Sequence, residues 1–87
     1  KSHFNLRELL DDIFQVMSVR GQAKNLDLTF TAVGEIPARI VGDPLRLRQV
    51  LMNLLGNAVK FTERGFVHMR YRVENEQLVF TISDSGI

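Results

Sequence analysis

The sequence predicts a two-layer α/β sandwich, with helices packed on one face of a mixed, mainly antiparallel sheet. Apolar residues recur at helical spacing in two stretches, 1–24 and 43–65. In two other stretches, 26–33 and 66–82, they alternate with polar residues, as in half-buried strands. Residues 39–41 are a candidate for a further short strand. The predicted order is therefore helix, strand, short strand, helix, strand, strand.

Length and composition limit the classes of function. The chain has 87 residues, enough for one domain, and its net charge of +1 argues against a general nucleic-acid binder. It has no cysteine, which excludes a disulfide framework and a cysteine-based metal site. It contains no run of about 18 apolar residues, so we expect no membrane-spanning segment and no direct membrane contact. Because the chain does not begin with Met, we expect it to be a piece of a longer protein.

The first predicted helix has a recognisable start and a purely structural apolar face. Asn5 is the predicted N-cap, with Glu8 three residues later as in a capping box. Gly21 is the predicted stop, within about one turn. The residues expected to face the core are Leu6, Leu9, Leu10, Ile13, Phe14 and Met17.

The predicted strands each have one apolar face. In the first strand this face consists of Leu26, Leu28, Phe30 and Ala32. Residues 66–73 and 77–82 form a predicted hairpin, with a turn at residues 74–76 between its strands. Its apolar residues are Val67, Met69, Tyr71, Val73, Leu78, Phe80 and Ile82.

The second predicted helix runs through the stretch 43–65. Asp43 can cap its N-terminus, Pro44 suits the first helical position, and Gly65 is a plausible stop. At about 100° per residue, six residues form one broad apolar arc that we expect to face the core. They are Leu47, Val50, Leu51, Leu54, Leu55 and Ala58.

A separate polar arc lies on the same helix. Gln49, Asn53, Asn57 and Lys60 fall within roughly 80° of one another. Amide oxygens are neutral ligands for a hard cation, and an ammonium group complements phosphate oxygens. The arc therefore suits a Mg-nucleotide, but an ordinary solvated helix side would look the same, and spacing alone leaves both interpretations open.

Asp84 is the second candidate site residue. By the period of two it shares a face with the apolar Phe80 and Ile82, so its carboxylate must find donors or stay near water. It could simply end the strand in a turn with Ser85 and Gly86. Alternatively, it could accept a hydrogen bond from the exocyclic amine of a base, and Gly86 would let the backbone approach that ligand closely.

A resemblance to a known family connects these two sites. Residues 53–62 read Asn-Leu-Leu-Gly-Asn-Ala-Val-Lys-Phe-Thr. Preceded by Asp43, Arg46 and Gln49, they resemble the N-box of sensor histidine kinases, which belong to the GHKL superfamily with gyrase, MutL and related chaperones. The final Asp-Ser-Gly-Ile resembles the start of the G1 box, Asp-x-Gly-x-Gly. Residues 1–87 would then be the N-terminal part of a histidine kinase ATP-binding domain.

The resemblance implies the Bergerat fold, with ATP and Mg²⁺ held between the sheet and the helices. It implies that Asn57 ligates Mg²⁺, with Asn53 beside it, and that Lys60 contacts phosphate.

The resemblance also implies how the base is held. Phe61 would pack near the adenine or ribose, and Asp84 would accept the adenine amino group. Gly86 would lie close to the nucleotide.

The residue type at position 53 distinguishes the kinases of the GHKL superfamily from its ATP-hydrolysing members. ATP-hydrolysing relatives carry at this position a Glu that activates water as a general base. An amide cannot accept that proton, so Asn53 favours a kinase over a hydrolase. The sequence Lys60, Phe61, Thr62 resembles hybrid phosphorelay kinases in particular.

We expect no catalytic residue in this chain. In the kinase family the phosphoacceptor histidine lies on a separate dimerisation domain, and His3, followed by Phe4 and Asn5, does not match its surroundings. The implied partners are that dimerisation domain and a response-regulator receiver domain. The implied location is cytoplasmic, with the parent protein anchored in the bacterial inner membrane. Two alternatives stay open: a GHKL-type ATPase module, and a non-catalytic interaction module for a receiver domain or partner kinase.

The chain ends at Ile87, before the counterparts of the family's ATP lid and later strands. We therefore expect the isolated chain to show no autokinase activity and to bind nucleotide weakly or not at all. An unpaired sheet edge can pair with another copy, so a homodimer is a further hypothesis.

Overall fold

The computed structural model describes residues 2–85, which form two helices and five strands. In chain order these are β1 (Ser2–Phe4), α1 (Leu6–Ala23), β2 (Asp27–Ala32), β3 (Ile40–Gly42), α2 (Pro44–Phe61), β4 (Phe66–Glu74) and β5 (Gln77–Asp84). Neither of these helices is long and apolar enough to cross a lipid bilayer.

The main sheet has three strands in the order β2-β4-β5. Strand β2 runs parallel to β4, whereas β4 and β5 form an antiparallel hairpin. Parallel neighbours need a long crossover connection, and the segment containing β3 and α2 provides it here. Helix α1 contacts β2, α2 contacts β4, and the two helices contact each other. The predicted two-layer sandwich is therefore confirmed.

Strand β1 was not anticipated from the sequence. It pairs antiparallel with β3, so that Phe4 lies opposite Ile40, and the two strands form a small sheet of their own. Each of these strands has only three residues, too few for an alternating pattern to stand out. Their pairing depends instead on a contact between distant parts of the chain.

One hydrophobic core joins both helices to the sheet. Central strand β4 contributes Val67 and Met69, both completely inaccessible to solvent. Alternate residues of a strand share a face, so these two mark the side of the sheet that the helices cover. The other buried apolar residues are Leu6, Leu10, Ile13, Met17, Leu26, Leu51, Leu55 and Val59.

Both predicted N-caps are present. The side-chain oxygen of Asn5 accepts a hydrogen bond from the backbone N–H of Glu8 at 3.0 Å, at the start of α1. At the start of α2, the Asp43 carboxylate accepts one from the N–H of Arg46 at 3.1 Å, and Pro44 is the first helical residue. Each cap satisfies an N–H group that has no partner inside its helix.

The end of α1 differs slightly from the prediction. Gly21 lies inside the helix, buried against Leu26, and the helix continues to Ala23. The left-handed residue that follows is Asn25, with φ of 57°, and the Gly21 carbonyl accepts a hydrogen bond from the N–H of Leu26 at 2.8 Å. Asn tolerates this conformation better than most residues, so it performs the role usually taken by glycine.

The predicted hairpin turn is confirmed. Asn75 and Glu76 have φ values of 52° and 64°, and they connect β4 directly to β5. Positive φ at both central residues is the mark of a type I′ turn, whose twist matches that of the flanking strands.

Two residues of the predicted core-facing arc on α2 lie at the surface instead. Val50 is 41% exposed and Leu54 is 48% exposed. The buried row is Leu51, Leu55 and Val59, at intervals of four residues. This row includes Val59, which the predicted arc did not contain, so the surface that α1 and the sheet cover meets only one edge of that arc.

The neighbouring leucines of α2 allow a matched test of this packing. We expect Leu55→Ala, at a site with 0% exposure, to lower the free energy of unfolding by about 2–5 kcal/mol through lost contacts and a cavity. We expect Leu54→Ala to cost less than about 1 kcal/mol, because much of that side chain is already in water. Urea denaturation followed by circular dichroism measures both changes. Equal losses would contradict a rotation of α2 that buries Leu55 and exposes Leu54.

Candidate functional site

The predicted polar face of α2 is exposed along its whole length. Gln49, Asn53, Asn57 and Lys60 all lie at the surface. The buried row on the other side of the helix determines this, because residues of a helix have fixed angular positions relative to one another. These side chains are therefore available to a ligand that approaches α2 from solvent.

A shallow hollow runs beside this face near the start of α2. Its lining residues are Arg46, Gln49, Val50, Asn53 and Leu54. The exposed Val50 and Leu54 are thus neighbours of the polar residues rather than members of the core. The hollow combines a guanidinium group, two amides and two apolar side chains.

Asn53 and Asn57 can supply ligands to a hard cation but cannot complete its shell. Mg²⁺ requires about six oxygen ligands in octahedral geometry, and two amides provide two. Within residues 2–85, no group of three or more His, Cys, Asp or Glu side chains is placed to hold a metal ion. The donor set therefore fits a cation that brings other oxygen ligands with it, as Mg²⁺ does when it is bound to phosphates.

A cation and an aromatic ring lie together at the C-terminal end of α2. The Lys60 ammonium nitrogen is 5.2 Å from the centre of the Phe61 ring. Phe61 is 66% exposed, so its ring lies at the surface. An exposed ring can stack on a planar group, and the adjacent ammonium can contact an anion.

Asp84 occupies the last position of β5. In the antiparallel register it lies opposite Val67, which faces the helices. Paired residues share a face of the sheet, so Asp84 lies on the helix side, as the sequence indicated. Its side chain is exposed despite this register. Gly86, the other predicted residue of this segment, lies outside the described residues.

Lys24 supports the site and was not identified from the sequence. Its ammonium group donates to the carbonyl of Val59 at 2.8 Å and to the carbonyl of Lys60 at 2.9 Å. The last carbonyls of a helix have no partner within it, and a cation there also complements the helix dipole. The contact spans 35 and 36 residues, so no local pattern predicts it.

Comparison with known protein families shows which family this chain belongs to. The family described as "Histidine kinase-, DNA gyrase B-, and HSP90-like ATPase" matches residues 42–87, more than half of the chain. The chain belongs to this family. The match includes α2 with its polar face and the strand that ends at Asp84, so the two candidate sites lie in the part that defines the family.

Named relatives of the chain include histidine kinases. It is 43% identical over 89 residues to the sensor histidine kinase GacS of Pseudomonas protegens, an alignment covering 97% of this chain and 10% of that protein. The chain thus spans about a tenth of the length of the curated relatives it matches. It corresponds to one portion of these kinases.

Solved structures of the family have the same fold. The catalytic domain of histidine kinase ThkA superposes with a TM-score of 0.86 at 27% identity, over 98% of this chain and 59% of that one. Full-length ShkA, in complex with AMPPNP, superposes with a TM-score of 0.88 at 32% identity, over 98% of this chain and 18% of that one. The two-layer arrangement is therefore that of histidine kinase catalytic domains.

Replacement of Lys24, with replacement of Lys60 as a control, tests the contact between Lys24 and the end of α2 in this ATPase-family domain. We expect Lys24→Met to lower the free energy of unfolding by about 1–2 kcal/mol, because two helix-end carbonyls lose a charged donor. Lys60→Met removes the same charge from an exposed position and should cost less than about 0.5 kcal/mol. Thermal and urea unfolding of both variants measure the difference. A Lys24 variant as stable as the Lys60 variant would contradict the capping role.

Proposed function

We propose that this chain binds Mg-ATP between the polar face of α2 and the end of β5, as the nucleotide-binding part of a two-component sensor histidine kinase. The observation that carries the proposal is the joint placement of two kinds of group. Amides and an ammonium group line the exposed face of α2, and a carboxylate ends β5 on the helix side of the sheet. Membership of the ATPase family and the likeness to ShkA in complex with AMPPNP, an ATP analogue, support it.

The phosphate end of the nucleotide is assigned to α2. Asn57 would offer its amide oxygen to Mg²⁺, with Asn53 one turn before it, and the phosphate oxygens would supply further ligands. Lys60 would contact phosphate as a point charge. When bound, the metal ion neutralises phosphate charge and so favours transfer of the terminal phosphoryl group.

The base end is assigned to the end of α2 and the end of β5. The exposed Phe61 ring would pack against the adenine or ribose. Asp84 would accept a hydrogen bond from the exocyclic amine, which distinguishes adenine from a base with a carbonyl at that position. Gly86 would let the backbone lie close to the base.

Asn53 favours phosphoryl transfer to a protein over hydrolysis. A hydrolase needs a group that takes a proton from the attacking water, and an amide cannot do so. Transfer to a histidine needs no activated water, and the imidazole nitrogen of the acceptor is itself the nucleophile. The acceptor histidine would lie on a dimerisation domain outside this chain.

The acceptor histidine would pass its phosphoryl group to a response-regulator receiver domain, in a phosphorelay of the hybrid type. The domain would be cytoplasmic, and its parent protein would be anchored in the bacterial inner membrane. Dimerisation through a sheet edge stays a hypothesis that sedimentation would test.

Nucleotide titration of the ¹⁵N-labelled chain tests the binding site directly. We expect Mg-ATP to shift backbone amides in two groups, around residues 53–61 and around Asp84, with weak affinity on the order of 1 mM. Asn57→Ala and Asp84→Asn should each weaken binding by about three- to tenfold, because each removes one polar contact.

The chain offers matched controls for this titration. Gln15→Ala removes an amide, and Asp12→Asn removes a carboxylate charge, each from an exposed position on α1. Both should leave the shifts unchanged. Shifts confined to α1, or equal weakening by the controls, would contradict the proposed site.

A chimera tests the kinase activity. We expect GacS carrying this chain in place of its matching segment to autophosphorylate, since the aligned segments are 43% identical. Asn57→Ala in the chimera should lower the rate by about 100-fold through lost stabilisation of charge in the transition state. Incorporation of radiolabelled phosphate measures the rate, with Gln15→Ala as the control. A chimera that binds and hydrolyses ATP without labelling its histidine would contradict the kinase assignment.

A further inference from the structure

Ser85 joins the end of β5 to the turn between α2 and β4. Its hydroxyl donates to the backbone carbonyl of Arg64 at 2.7 Å and accepts from the backbone N–H of Phe66 at 3.1 Å. Its own N–H donates to the carbonyl of Phe66 at 3.1 Å. Three hydrogen bonds of Ser85 therefore attach the end of β5 to the residues before and after Gly65.

The backbone conformation of Gly65 and its lack of a side chain leave room for Ser85. Its φ of +108° lies in a region that side-chain-bearing residues rarely adopt. A Cβ at this position would overlap the Ser85 hydroxyl and approach the Ser85 Cβ to 2.8 Å. The Gly65 carbonyl also accepts a hydrogen bond from the N–H of Asp27 at 2.9 Å, which attaches the turn to the start of β2.

The contact joins the two chain segments that follow the elements of the proposed nucleotide site. On one side, α2 ends at Phe61, and the buried Thr62 fixes the path of the chain into the turn. On the other side, Asp84 immediately precedes Ser85 and is held opposite Val67 by the strand register. The position of the Asp84 carboxylate relative to α2 therefore depends on how this turn meets the end of β5.

We propose that Ser85 is a positioning residue for base recognition, because its hydroxyl holds the end of β5 against the Gly65 turn and so fixes the Asp84 carboxylate relative to α2. The inference rests on the proposed function. Ser85 itself contacts no ligand in this proposal, and its effect is exerted through Asp84. Loss of its hydroxyl should therefore weaken recognition of the base without weakening recognition of the phosphates.

Two probes separate these effects. Mg-ATP carries a base, whereas Mg-tripolyphosphate offers phosphate oxygens alone. In Ser85→Ala we expect the affinity for Mg-ATP to fall about three- to tenfold, because the Asp84 contact is no longer held in place. The affinity for Mg-tripolyphosphate should stay within about twofold of the unchanged chain, because α2 is untouched. General damage to the fold would weaken both probes alike.

Four further variants serve as controls or as independent tests of the Ser85 contact. Ser83→Ala removes a hydroxyl from the outward face of the same strand and should change neither affinity. Ser85→Thr keeps the hydroxyl and should restore Mg-ATP binding to within about twofold. Gly65→Ala should reproduce the Ser85→Ala effect. Gly34→Ala should not. Gly34 also has a positive φ of +77°, but no atom beyond its own chain neighbours lies within 4 Å of its Cβ position.

The experiment is a ¹⁵N amide titration of each full-chain variant with both probes, together with hydrogen exchange of the Phe66 amide in the absence of ligand. We expect Ser85→Ala to expose the Phe66 amide and to lose affinity for Mg-ATP alone. Equal losses for the two probes, or unchanged Mg-ATP affinity with an exposed Phe66 amide, would overturn the inference while leaving the proposed function intact. If the unchanged chain binds Mg-tripolyphosphate and Mg-ATP equally, base recognition itself fails, and the inference fails with it.

Discussion

Burial of the row Leu51, Leu55 and Val59 determines how α2 is rotated about its own axis, and the candidate site depends on that rotation. The row packs into the core shared by α1 and β4. Because side chains on a helix have fixed angular positions, a buried row on one side determines which residues meet solvent on the other. A rotation of one residue, about 100°, would carry Asn53 or Asn57 towards the core.

The helix is also fixed along its length by contacts at both ends. At its start the Asp43 carboxylate caps the backbone, and at its end the Lys24 ammonium satisfies the carbonyls of Val59 and Lys60. The second contact comes from the loop that joins α1 to β2. The end of α2, where Lys60 and Phe61 lie, is therefore held by the same segment that leads into the sheet. The two contacts that stabilise the ends of α2 thus also fix the position of its polar face.

Local features of the sequence predicted most of the fold. The Asn5 and Asp43 caps and the hairpin turn each depend on interactions within a few residues, and all are present in the structure. The register that places Asp84 on the helix side also follows from a local pattern, the period of two along β5. These features could be read correctly because the residues that determine them are neighbours in the chain.

The features that the sequence did not reveal depend on distant residues. The β1–β3 pair, the Lys24 contact and the Ser85 contact each join segments separated by 19 residues or more. Exposure of Val50 and Leu54 has a related cause, because periodicity shows which residues are apolar but not how much of the helix its neighbours cover. The resemblance to the N-box suggested the residues of the candidate site, whereas only the structure shows what holds them.

In the proposed site, different parts of the nucleotide contact different elements of the fold. The groups suited to phosphate and metal lie along a helix, where residues at spacings of three and four share a face. The group suited to a base lies at the end of a strand, where the register determines its side of the sheet. In this proposal, affinity for phosphates depends on α2, whereas selectivity for adenine depends on Asp84 at the end of β5. The two elements are joined at the turn around Gly65, where the Ser85 hydroxyl donates to the Arg64 carbonyl, so the proposed positioning of Asp84 relative to α2 depends on that turn.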